Sequence, residues 1–348
     1  MAQPFTQRNW VIKLNERLRF LDMNYEVPSH ANTIWYSLGG ITLIGIVYLF
    51  ISGVWMTQFY APLPDQATAS VNQMINQSSF NNLIRSIHYW AAQFVILSMA
   101  LHLLRVFISG SFKKPREGNW YIGVILFGIM FGLYFSGTII KWDQEAYEAL
   151  LHAAALKDFI GVLALWFTDE FAPGIPVLLR IYGLHVAILP ALLLVFIGGH
   201  LYLINKLKIS PLPKEHERLA SNKKQTFGGH AKKLTGYAFV ILGLLIAVSV
   251  LLPPGLGFSP VEGLEVTKPP GWFLWIYTVE NFFGLPGLVW SSVIIGVSLL
   301  LVPFIDRKIS PHLSERKLVL SIGMILTSVL VVAIIAGYFS APVPHIGM

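Results

Sequence analysis

Long apolar stretches alternate with polar connections along the whole chain. Seven of the stretches are long enough to cross the roughly 30 Å hydrocarbon layer of a bilayer as helices, which rise about 1.5 Å per residue. We place these spans, numbered one to seven, near residues 34–58, 83–108, 119–140, 178–205, 234–252, 287–305 and 318–339. The pattern predicts an all-α integral membrane protein with about seven transmembrane helices.

The polar connections divide these spans into groups. The connection at 206–233 separates four spans from three, so we expect a four-helix domain at 1–210 and a three-helix domain at 211–348. The connection at 141–177 contains an apolar run that is too short to span a bilayer. The connection at 253–286 is rich in Pro and Gly, which favours irregular structure.

The composition supports a membrane protein and limits its redox chemistry. Of the 348 residues, 55% are hydrophobic and 12% are charged, whereas a soluble domain is roughly 25% charged. The chain has no cysteine, which excludes disulfides, cysteine-ligated iron–sulfur clusters and thioether-linked haem within it. Any redox centre held by this chain must therefore use other ligands.

The basic residues have a one-sided distribution. Most of the 25 Lys and Arg residues lie in the N-terminal segment and in the connections after spans two, four and six. Because cytoplasmic loops carry the excess of Lys and Arg, we predict a multi-pass protein of the cell membrane with a cytoplasmic N-terminus and an external C-terminus. The net charge of +7 then reflects membrane topology, and we expect no nucleic-acid partner.

Four of the ten histidines lie inside apolar spans, namely His88 and His102 in span two and His185 and His200 in span four. The separations are 14 and 15 residues, close to four helical turns, so the two rings of each helix lie near one face. Spans two and four run in the same direction. His88 is therefore expected at the depth of His185, and His102 at the depth of His200.

Matched histidine pairs inside a membrane point to haem. A lone buried histidine is more often a packed core residue, but ionisable residues inside a span are costly and usually functional. Two opposed imidazoles suit the axial positions of haem iron, whereas zinc takes a larger set of ligands. We expect two b-type haems suited to electron transfer, with His88, His102, His185 and His200 as iron ligands.

Two glycine pairs have the same period as the histidines. Gly39 and Gly53 in span one, and Gly123 and Gly137 in span three, are each 14 residues apart. Glycine permits close approach to the backbone, so these four residues are candidate contacts of a flat macrocycle. The alternative is ordinary packing of small residues between membrane helices.

Two arginines lie one helical turn from histidines of span two. Arg85 precedes His88 by three residues and Arg105 follows His102 by three. Arginine pairs well with carboxylates, so both are candidate partners of haem propionates. The alternative is that they extend to lipid headgroups from the helix ends.

Several motifs give the chain a family resemblance. They are VPSHANTIWYSLGGITL at 27–43, RSIHYW at 85–90, HLLRVFISGSFKKPREGNW at 102–120, KWDQ at 141–144, LRIYGLHVAILP at 179–190, PPGWF at 269–273 and LVPFIDR at 301–307. With these motifs the chain resembles cytochrome b of the quinol-oxidising, bc-type complexes, and most closely the b6 type. The part after residue 210 resembles the partner subunit IV of that type, with an external loop like its quinol-site region.

The resemblance implies a function for the two haem sites. His88 and His185 would hold a low-potential haem near the external face, and His102 and His200 a high-potential haem near the cytoplasmic face. Quinol would be oxidised externally, quinone would be reduced at the cytoplasmic side, and the chain would act as a respiratory electron-transport oxidoreductase subunit. The implied partners are an external iron–sulfur protein, a c-type cytochrome or both, and a second copy of the chain.

The chain departs from the family pattern at two positions. Ser37 stands where the b6 type has a cysteine that tethers an extra haem, so we expect no covalent haem. The quinol-oxidising motif Pro-Glu-Trp-Tyr is here Pro-Gly-Trp-Phe, ending at Phe273, and Gly271 replaces the proton-accepting glutamate. We therefore name Glu280 and Trp272 as the catalytic candidates. Glu262 and Glu265, just upstream, are further possible substitutes for the missing proton acceptor, but for these two loop carboxylates we favour the alternative that they are solvated.

These departures leave three hypotheses. The first is a quinol/quinone oxidoreductase subunit with a rearranged external site. The second is a transmembrane electron conduit that exchanges electrons with an external redox protein and uses quinone only near the cytoplasmic haem, because Gly271 cannot accept a proton. The third is a transporter or scaffold without haem.

Overall fold

The computed structural model describes residues 26–210, 225–307 and 312–346. The helices in chain order are α1 (Ile34–Met56), α2 (Ala67–Asn76), α3 (Ser79–Ile108), α4 (Glu117–Ile140), α5 (Gln144–Ala155), α6 (Lys157–Ile160), α7 (Val162–Leu165), α8 (Val177–Leu207), α9 (Phe227–Leu251), α10 (Leu274–Ile305) and α11 (Lys317–Phe339). One-turn 3-10 segments occupy Ser29–Asn32, Asp169–Phe171, Gly271–Phe273 and Leu313–Glu315. The strands β1 (Glu26–Val27) and β2 (Gln225–Thr226) pair antiparallel, with Glu26 opposite Thr226.

Seven of these helices are long and apolar enough to cross a membrane, namely α1, α3, α4, α8, α9, α10 and α11. This confirms the predicted all-α, seven-span membrane fold. Helix α1 packs along α3, α4 packs along α8, α9 covers α3 and α1, and α10 packs against α11. Large apolar side chains on α9, α10 and α11 are exposed on the outside, as expected for surfaces that face lipid.

Polar side chains set the starts of several helices. The Thr33 hydroxyl accepts the backbone N–H of Tyr36 at 3.4 Å at the start of α1. The Ser78 hydroxyl accepts the N–H of Asn81 at 3.3 Å at the start of α3. Such caps satisfy N–H groups that have no partner within the first helical turn. Thr226 has the same role at α9, which therefore begins at Phe227 rather than at the predicted residue 234.

The sixth span agrees with the prediction after Gly284 and differs from it before that residue. Helix α10 consists of two helical segments that meet at a kink, because Gly284 has a non-helical conformation. The second segment contains the span predicted near 287–305, whereas the first, from Leu274, lies in what we expected to be the Pro- and Gly-rich connection. Pro286 has no N–H to donate and disfavours a regular helix before it. Gly284 absorbs this by adopting a φ of 63°, in the left-handed region that glycine tolerates. The segment that carries Glu280 is therefore helix, not loop.

The connections between the spanning helices lie at two ends of the bundle, which we call the loop end and the basic end. The loop end comprises 57–78, 141–176, 252–273 and 340–346. The basic end comprises 26–33, 109–116, 208–210, 225–226, 306–307 and 312–316. Within the loop end, the short helices α6 and α7 contain the apolar run predicted near 159–167, with Val162 and Leu163 exposed.

Helix α5 holds the connection before α10 in place at the loop end. The Asp143 carboxylate caps α5 and also accepts the N–H of Gly257 at 2.9 Å. The Glu148 carboxylate accepts the N–H groups of Val266 at 3.0 Å and Thr267 at 2.9 Å. Asp143 and Glu148 are buried, so the Pro- and Gly-rich segment has defined partners for its backbone.

A buried ion cluster joins the first four spans to the last three at the basic end. Asp306 bonds Lys113 and Arg316, each at 2.6 Å, and the Arg316 side chain is 0% exposed. Arg316 also donates to the carbonyl oxygens of Phe107 and Ile108, each at 2.7 Å. One carboxylate thus compensates two buried cations while Arg316 satisfies the C-terminal end of α3.

The cluster predicts a large cost for removing its buried carboxylate. Replacing Asp306 with Ala leaves the Arg316 side chain, which is 0% exposed, without its carboxylate partner, and breaking a buried pair costs about 3–5 kcal/mol. We expect a markedly lower midpoint of thermal unfolding for the purified variant. The matched control is Arg307→Ala, because Arg307 is exposed and a surface change costs about 0.5 kcal/mol or less. Equal unfolding midpoints for the two variants would contradict the proposed contribution of the cluster to the stability of the protein.

Candidate functional site

The structure brings the four span histidines together as two facing pairs. The ring centres of His88 on α3 and His185 on α8 are 6.4 Å apart. Those of His102 on α3 and His200 on α8 are 6.5 Å apart. The pairs form two layers, one toward each end of the bundle, about 21 Å apart by helical rise. A core cluster that includes Val95, Met99, Met130 and Leu193 fills the bundle between them.

Each predicted glycine lies against one of these rings. A Cβ atom built on Gly137 would be 2.9 Å from His185 Cε1, and one on Gly39 would be 3.0 Å from His102 Cε1. On Gly53 and Gly123 the corresponding distances to His88 Cε1 and His200 Cε1 are 3.2 and 3.7 Å. The glycines therefore clear space on α1 and α4 for the imidazoles of the adjacent helix, which is more specific than general small-residue packing.

Two serines fix the tautomer of the loop-end pair. Ser52 Oγ donates to the Tyr48 carbonyl at 2.6 Å and lies 2.9 Å from His88 Nδ1. Ser136 Oγ donates to the Gly132 carbonyl at 2.8 Å and lies 3.0 Å from His185 Nδ1. A hydroxyl has one hydrogen, so each ring must donate its Nδ1–H to the serine. The Nε2 lone pair of both rings is then free to bind a metal.

A π-helical turn carries one of these histidines. Residues Leu184–Ile188 form the turn, and the N–H of Leu189 donates to the Leu184 carbonyl. Pro190 has no N–H and would clash with the carbonyl four residues earlier in a regular α-helix. The wider turn relieves that clash, and it sets the direction of His185 toward α3. The sequence contains the proline but does not specify how the helix accommodates it.

The pair toward the basic end has different neighbours. Arg105 Nη2 lies 3.3 Å from His102 Nδ1, and its guanidinium stacks over Tyr36 at 5.0 Å. Arg105 is buried, and its Nε has no hydrogen-bond partner within the described residues. His200 Nδ1 is likewise buried without a partner there. A buried guanidinium with an unused donor fits an anionic group.

The other candidate arginine has protein partners at the loop end. Arg85 Nη2 donates to the carbonyl oxygens of Pro254 and Gly255. Arg85 is buried, and its Nε has no partner among the described residues. The structure thus directs part of this guanidinium to the connection before α10 rather than to the histidine layer.

The paired rings have the separation that a six-coordinate metal requires. An ion bonded to two opposed imidazole nitrogens at about 2 Å from each places the ring centres roughly 6 Å apart. The observed 6.4 and 6.5 Å agree with that geometry. The free Nε2 atoms, the glycine clearance on two helices and the unpartnered Arg105 Nε all fit a haem b held between α3 and α8.

Comparisons with known proteins identify the family. The sequence model of the family described as Cytochrome b/b6/petB matches residues 23–208. Cytochrome b6 of Heliobacterium modesticaldum is 38% identical over 190 residues, which is 53% of this chain and 89% of that protein. The chain belongs to the cytochrome b/b6 family. This family binds haem b, so the expectation of haem is supported for the matched region.

Two further comparisons concern the matched region and the fold of the whole chain. The menaquinol:cytochrome c reductase cytochrome b subunit of Bacillus subtilis is 36% identical over 218 residues, covering 58% of this chain and 96% of that protein. A chain in the solved structure of a hyperthermophilic respiratory Complex III aligns over 98% of this chain and 92% of its own length. Its TM-score is 0.76 at 23% identity, which supports the seven-helix fold.

The loop end of this cytochrome b/b6 protein contains the segment that replaces the family's glutamate motif. Gly271 is exposed at the start of a 3-10 turn, and a Cβ atom there would contact nothing within 4 Å. Trp272 packs against the core cluster of the four-helix bundle. Phe273 contacts Tyr134 and Phe135, with ring centres 5.5 and 6.0 Å apart. This segment therefore offers an apolar surface and no proton acceptor.

The candidate carboxylate Glu280 belongs to a different cluster. Its side chain is 4% exposed, and Oε1 lies 3.5 Å from His152 Nε2. Glu265 Oε1 is 3.4 Å from the same nitrogen, and His345 Nδ1 is 4.0 Å from Glu280 Oε2. The structure thus brings Glu280 together with His152, Glu265 and His345, whereas Trp272 packs toward the bundle.

Sequence reasoning missed most of this cluster. Glu262 is exposed as expected, but the expectation of a solvated Glu265 was wrong, because its side chain is only 6% exposed. Burial and the neighbouring His152 lower the pKa of His345, while Glu265 opposes them. His152, Glu280 and His345 come from separate parts of the chain, so no local pattern connects them. The predicted topology also makes Asp22, His30 and Arg218 candidates for a cytoplasmic quinone pocket, with a solvated interface as the alternative. Asp22 and Arg218 lie outside the described residues, whereas His30 is buried with its Nε2 3.3 Å from the Ser210 carbonyl oxygen.

Proposed function

We propose that this protein is the di-haem cytochrome b subunit of a membrane quinol/quinone oxidoreductase complex and carries electrons between the loop end and the basic end. The observation that supports this most directly is the two layers of facing imidazoles, with ring centres 6.4 and 6.5 Å apart. The names of relatives support the reaction class, since two of them are cytochrome b subunits of menaquinol:cytochrome c reductases.

The four histidines are the proposed iron ligands. His88 and His185 would hold the haem iron at the loop end, and His102 and His200 would hold it at the basic end, and ligation by two histidines suits electron transfer rather than oxygen binding. Haem b supplies reversible one-electron chemistry when bound. Glycine clearance at Gly39, Gly53, Gly123 and Gly137 lets the imidazoles turn into the space between the helices.

Residues around the ligands have supporting roles in this proposal. Ser52 and Ser136 keep Nδ1 protonated in the loop-end pair, so that Nε2 is the binding atom. Arg105 is the propionate partner because it is buried with an unused donor. Arg85 also retains an unused Nε–H. Its main role in this proposal is to bind the connection before α10 through the carbonyl oxygens of Pro254 and Gly255.

The topology and assembly belong to the same proposal. The Lys and Arg bias supports a cytoplasmic basic end in the cell membrane, with the loop end and the C-terminus external. The haem-binding unit is 1–210, and 211–348 is the subunit-IV-like unit. An external iron–sulfur protein, a c-type cytochrome or both would exchange electrons at the loop end, and the chain would form a homodimer.

Two versions of this function differ in what happens at the loop end. In the first, quinol is oxidised there, with Glu280 as proton acceptor and Trp272 as a wall of the site. In the second, the chain is a conduit that exchanges electrons with the external partner, and quinone reacts only near the basic end. We favour the first because a buried carboxylate with an unpartnered oxygen beside His152 is suited to take up a proton. The absence of a carboxylate at Gly271 favours the second.

Removing one ligand tests the haem assignment. With His185→Ala the loop-end layer has one imidazole, so the purified protein should retain about one haem b per chain instead of two. Haem per chain is measured from the dithionite-reduced spectrum. The control is His312→Ala, at the basic end outside both layers, which should keep two. A His185→Ala protein that still holds two haems would remove His185 from the ligand set.

The glycine contacts give a second, finer test. The added methyl of Gly137→Ala lies 2.9 Å from His185 Cε1, so the ring must shift, whereas that of Gly123→Ala makes an ordinary 3.7 Å contact with His200. We expect lower haem occupancy and a shifted midpoint potential at the loop-end site in Gly137→Ala. Gly123→Ala should resemble the unmodified protein, because its methyl group has room beside His200. It is a matched control, because both substitutions change helix propensity equally. Equal effects of the two substitutions would argue against this geometry.

Replacing Glu280 separates the two versions. In Glu280→Gln the carboxylate is lost with little change in size, so loss of a proton acceptor should lower quinol oxidation by about 100- to 10,000-fold. The haem spectrum should remain intact. Glu262→Gln is the matched control, because that loop carboxylate is exposed. Unchanged quinol turnover in Glu280→Gln would favour the conduit.

A further inference from the structure

Acceptor atoms of four side chains from separate parts of the chain converge at the loop end. They belong to His152 on α5, Glu265 in the connection before α10, Glu280 on α10 and His345 in the segment after α11. His152 Nε2 is 3.4 Å from Glu265 Oε1 and 3.5 Å from Glu280 Oε1. His345 Nδ1 is 3.7 Å from Glu265 Oε1 and 4.0 Å from Glu280 Oε2.

Both histidines direct a lone pair into this cluster. His152 Nδ1 lies 2.8 Å from the Glu148 carbonyl oxygen, which can only accept, so the ring donates Nδ1–H there. His345 Nε2 lies 2.8 Å from Asn281 Oδ1, which also accepts. In the neutral rings His152 Nε2 and His345 Nδ1 therefore carry no hydrogen.

The two carboxylates add acceptors and no donor. Glu280 Oε1 and His345 Nδ1 are buried and have no hydrogen-bond partner among the described residues. Glu265 accepts the backbone N–H groups of His345 at 2.8 Å and Ile346 at 3.1 Å, which orients its carboxylate. Burying lone pairs against lone pairs is unfavourable unless a proton or a metal cation lies between them.

His152, Glu280 and His345 each offer a ligand atom within 4.8 Å of the others. The two separations at His152, 3.4 and 3.5 Å, match the edges of a tetrahedral site. The separations at His345, 3.7 and 4.0 Å, are longer, so this ring would have to move closer to bind the same ion. Zinc binds imidazole nitrogen and carboxylate oxygen at about 2.0–2.2 Å, which places neighbouring ligand atoms roughly 3.3–3.6 Å apart. Two imidazoles disfavour Mg²⁺ and Ca²⁺, which take oxygen ligands. The acceptors on Glu148 and Asn281 match the outer partners that orient metal-binding histidines.

We propose that His152, Glu265, Glu280 and His345 bind one divalent transition-metal ion of the zinc class. The ion would tie α5, the connection before α10, the first segment of α10 and the C-terminal segment into one unit. It would also compete with a proton for Glu280. The site needs no quinol chemistry, so it stands whether or not Glu280 is the proton acceptor of the proposed function.

The test is zinc binding by the purified complex. The complex is treated with a chelator and titrated with Zn²⁺, and zinc and iron per chain are measured together by mass spectrometry. We expect saturation at one zinc per chain. X-ray absorption at the zinc edge should give nitrogen and oxygen neighbours at about 2.0–2.1 Å, with the multiple scattering of imidazole.

Three variants and a control make the assignment specific. Asn281→Leu removes only a partner that orients a ligand, and such a loss typically weakens metal binding about 10- to 100-fold. His345→Gln and His152→Gln each remove a ligand itself, so each should weaken zinc binding by more than about 100-fold. His312→Gln, outside the cluster, should bind zinc like the unmodified protein. A variant that retains the iron content of the unmodified protein is folded. If His345→Gln loses iron, the zinc affinities of His152→Gln and Asn281→Leu test the site instead.

Two outcomes would overturn the site. One is a chelated complex that takes up no zinc at micromolar Zn²⁺, in which case protons on His152 or His345 balance the carboxylates. The other is equal zinc affinity in His152→Gln, Asn281→Leu and the unmodified protein, which would locate the zinc elsewhere. Iron content and the haem spectrum report on the di-haem proposal separately, so failure of one proposal is distinguishable from failure of the other.

Discussion

Polar imidazoles inside a bilayer-spanning bundle are the constraint on which the rest of the structure depends. A ring nitrogen without a partner in an apolar interior is costly. The structure meets that cost by pairing α1 with α3 and α4 with α8, so that histidines of α3 and α8 face each other. Serine and glycine residues of α1 and α4 then support the rings from behind, as Ser52 and Gly53 do for His88.

The two histidine layers are built differently, although their ring separations are nearly equal. The loop-end rings donate to serine hydroxyls, which keeps each Nε2 free as in many metal-binding histidines. The other layer has Arg105 beside His102 and an unpartnered His200 Nδ1. Charge and hydrogen bonding around an axial ligand tune redox potential, so this asymmetry gives the two sites different electrostatic surroundings within one bundle.

Buried charge joins the two halves of the chain at both ends. Asp306 links the connection after α3 to the start of α11 at the basic end. At the loop end Asp143 and Glu148 bind the backbone before α10, and the cluster around Glu280 adds the C-terminal segment. The apolar helices by themselves have little to fix their relative positions in lipid, because lipid tails are as apolar as their side chains. These polar contacts supply that specificity.

The span positions, the four histidines inside the spans and the glycines beside them could be predicted from the sequence. All of these follow from local hydropathy and helical period, which a membrane enforces strongly because every backbone polar group must be satisfied within its own helix. The first segment of α10 was missed because Gly284 and Pro286 interrupt the helix, so the residues before them resemble part of the Pro- and Gly-rich connection. The neighbours of Glu280, which are His152 and His345 rather than Trp272, could not be predicted in this way. These contacts join residues more than 60 positions apart in the sequence, and such proximity arises from how helices pack and not from any local pattern.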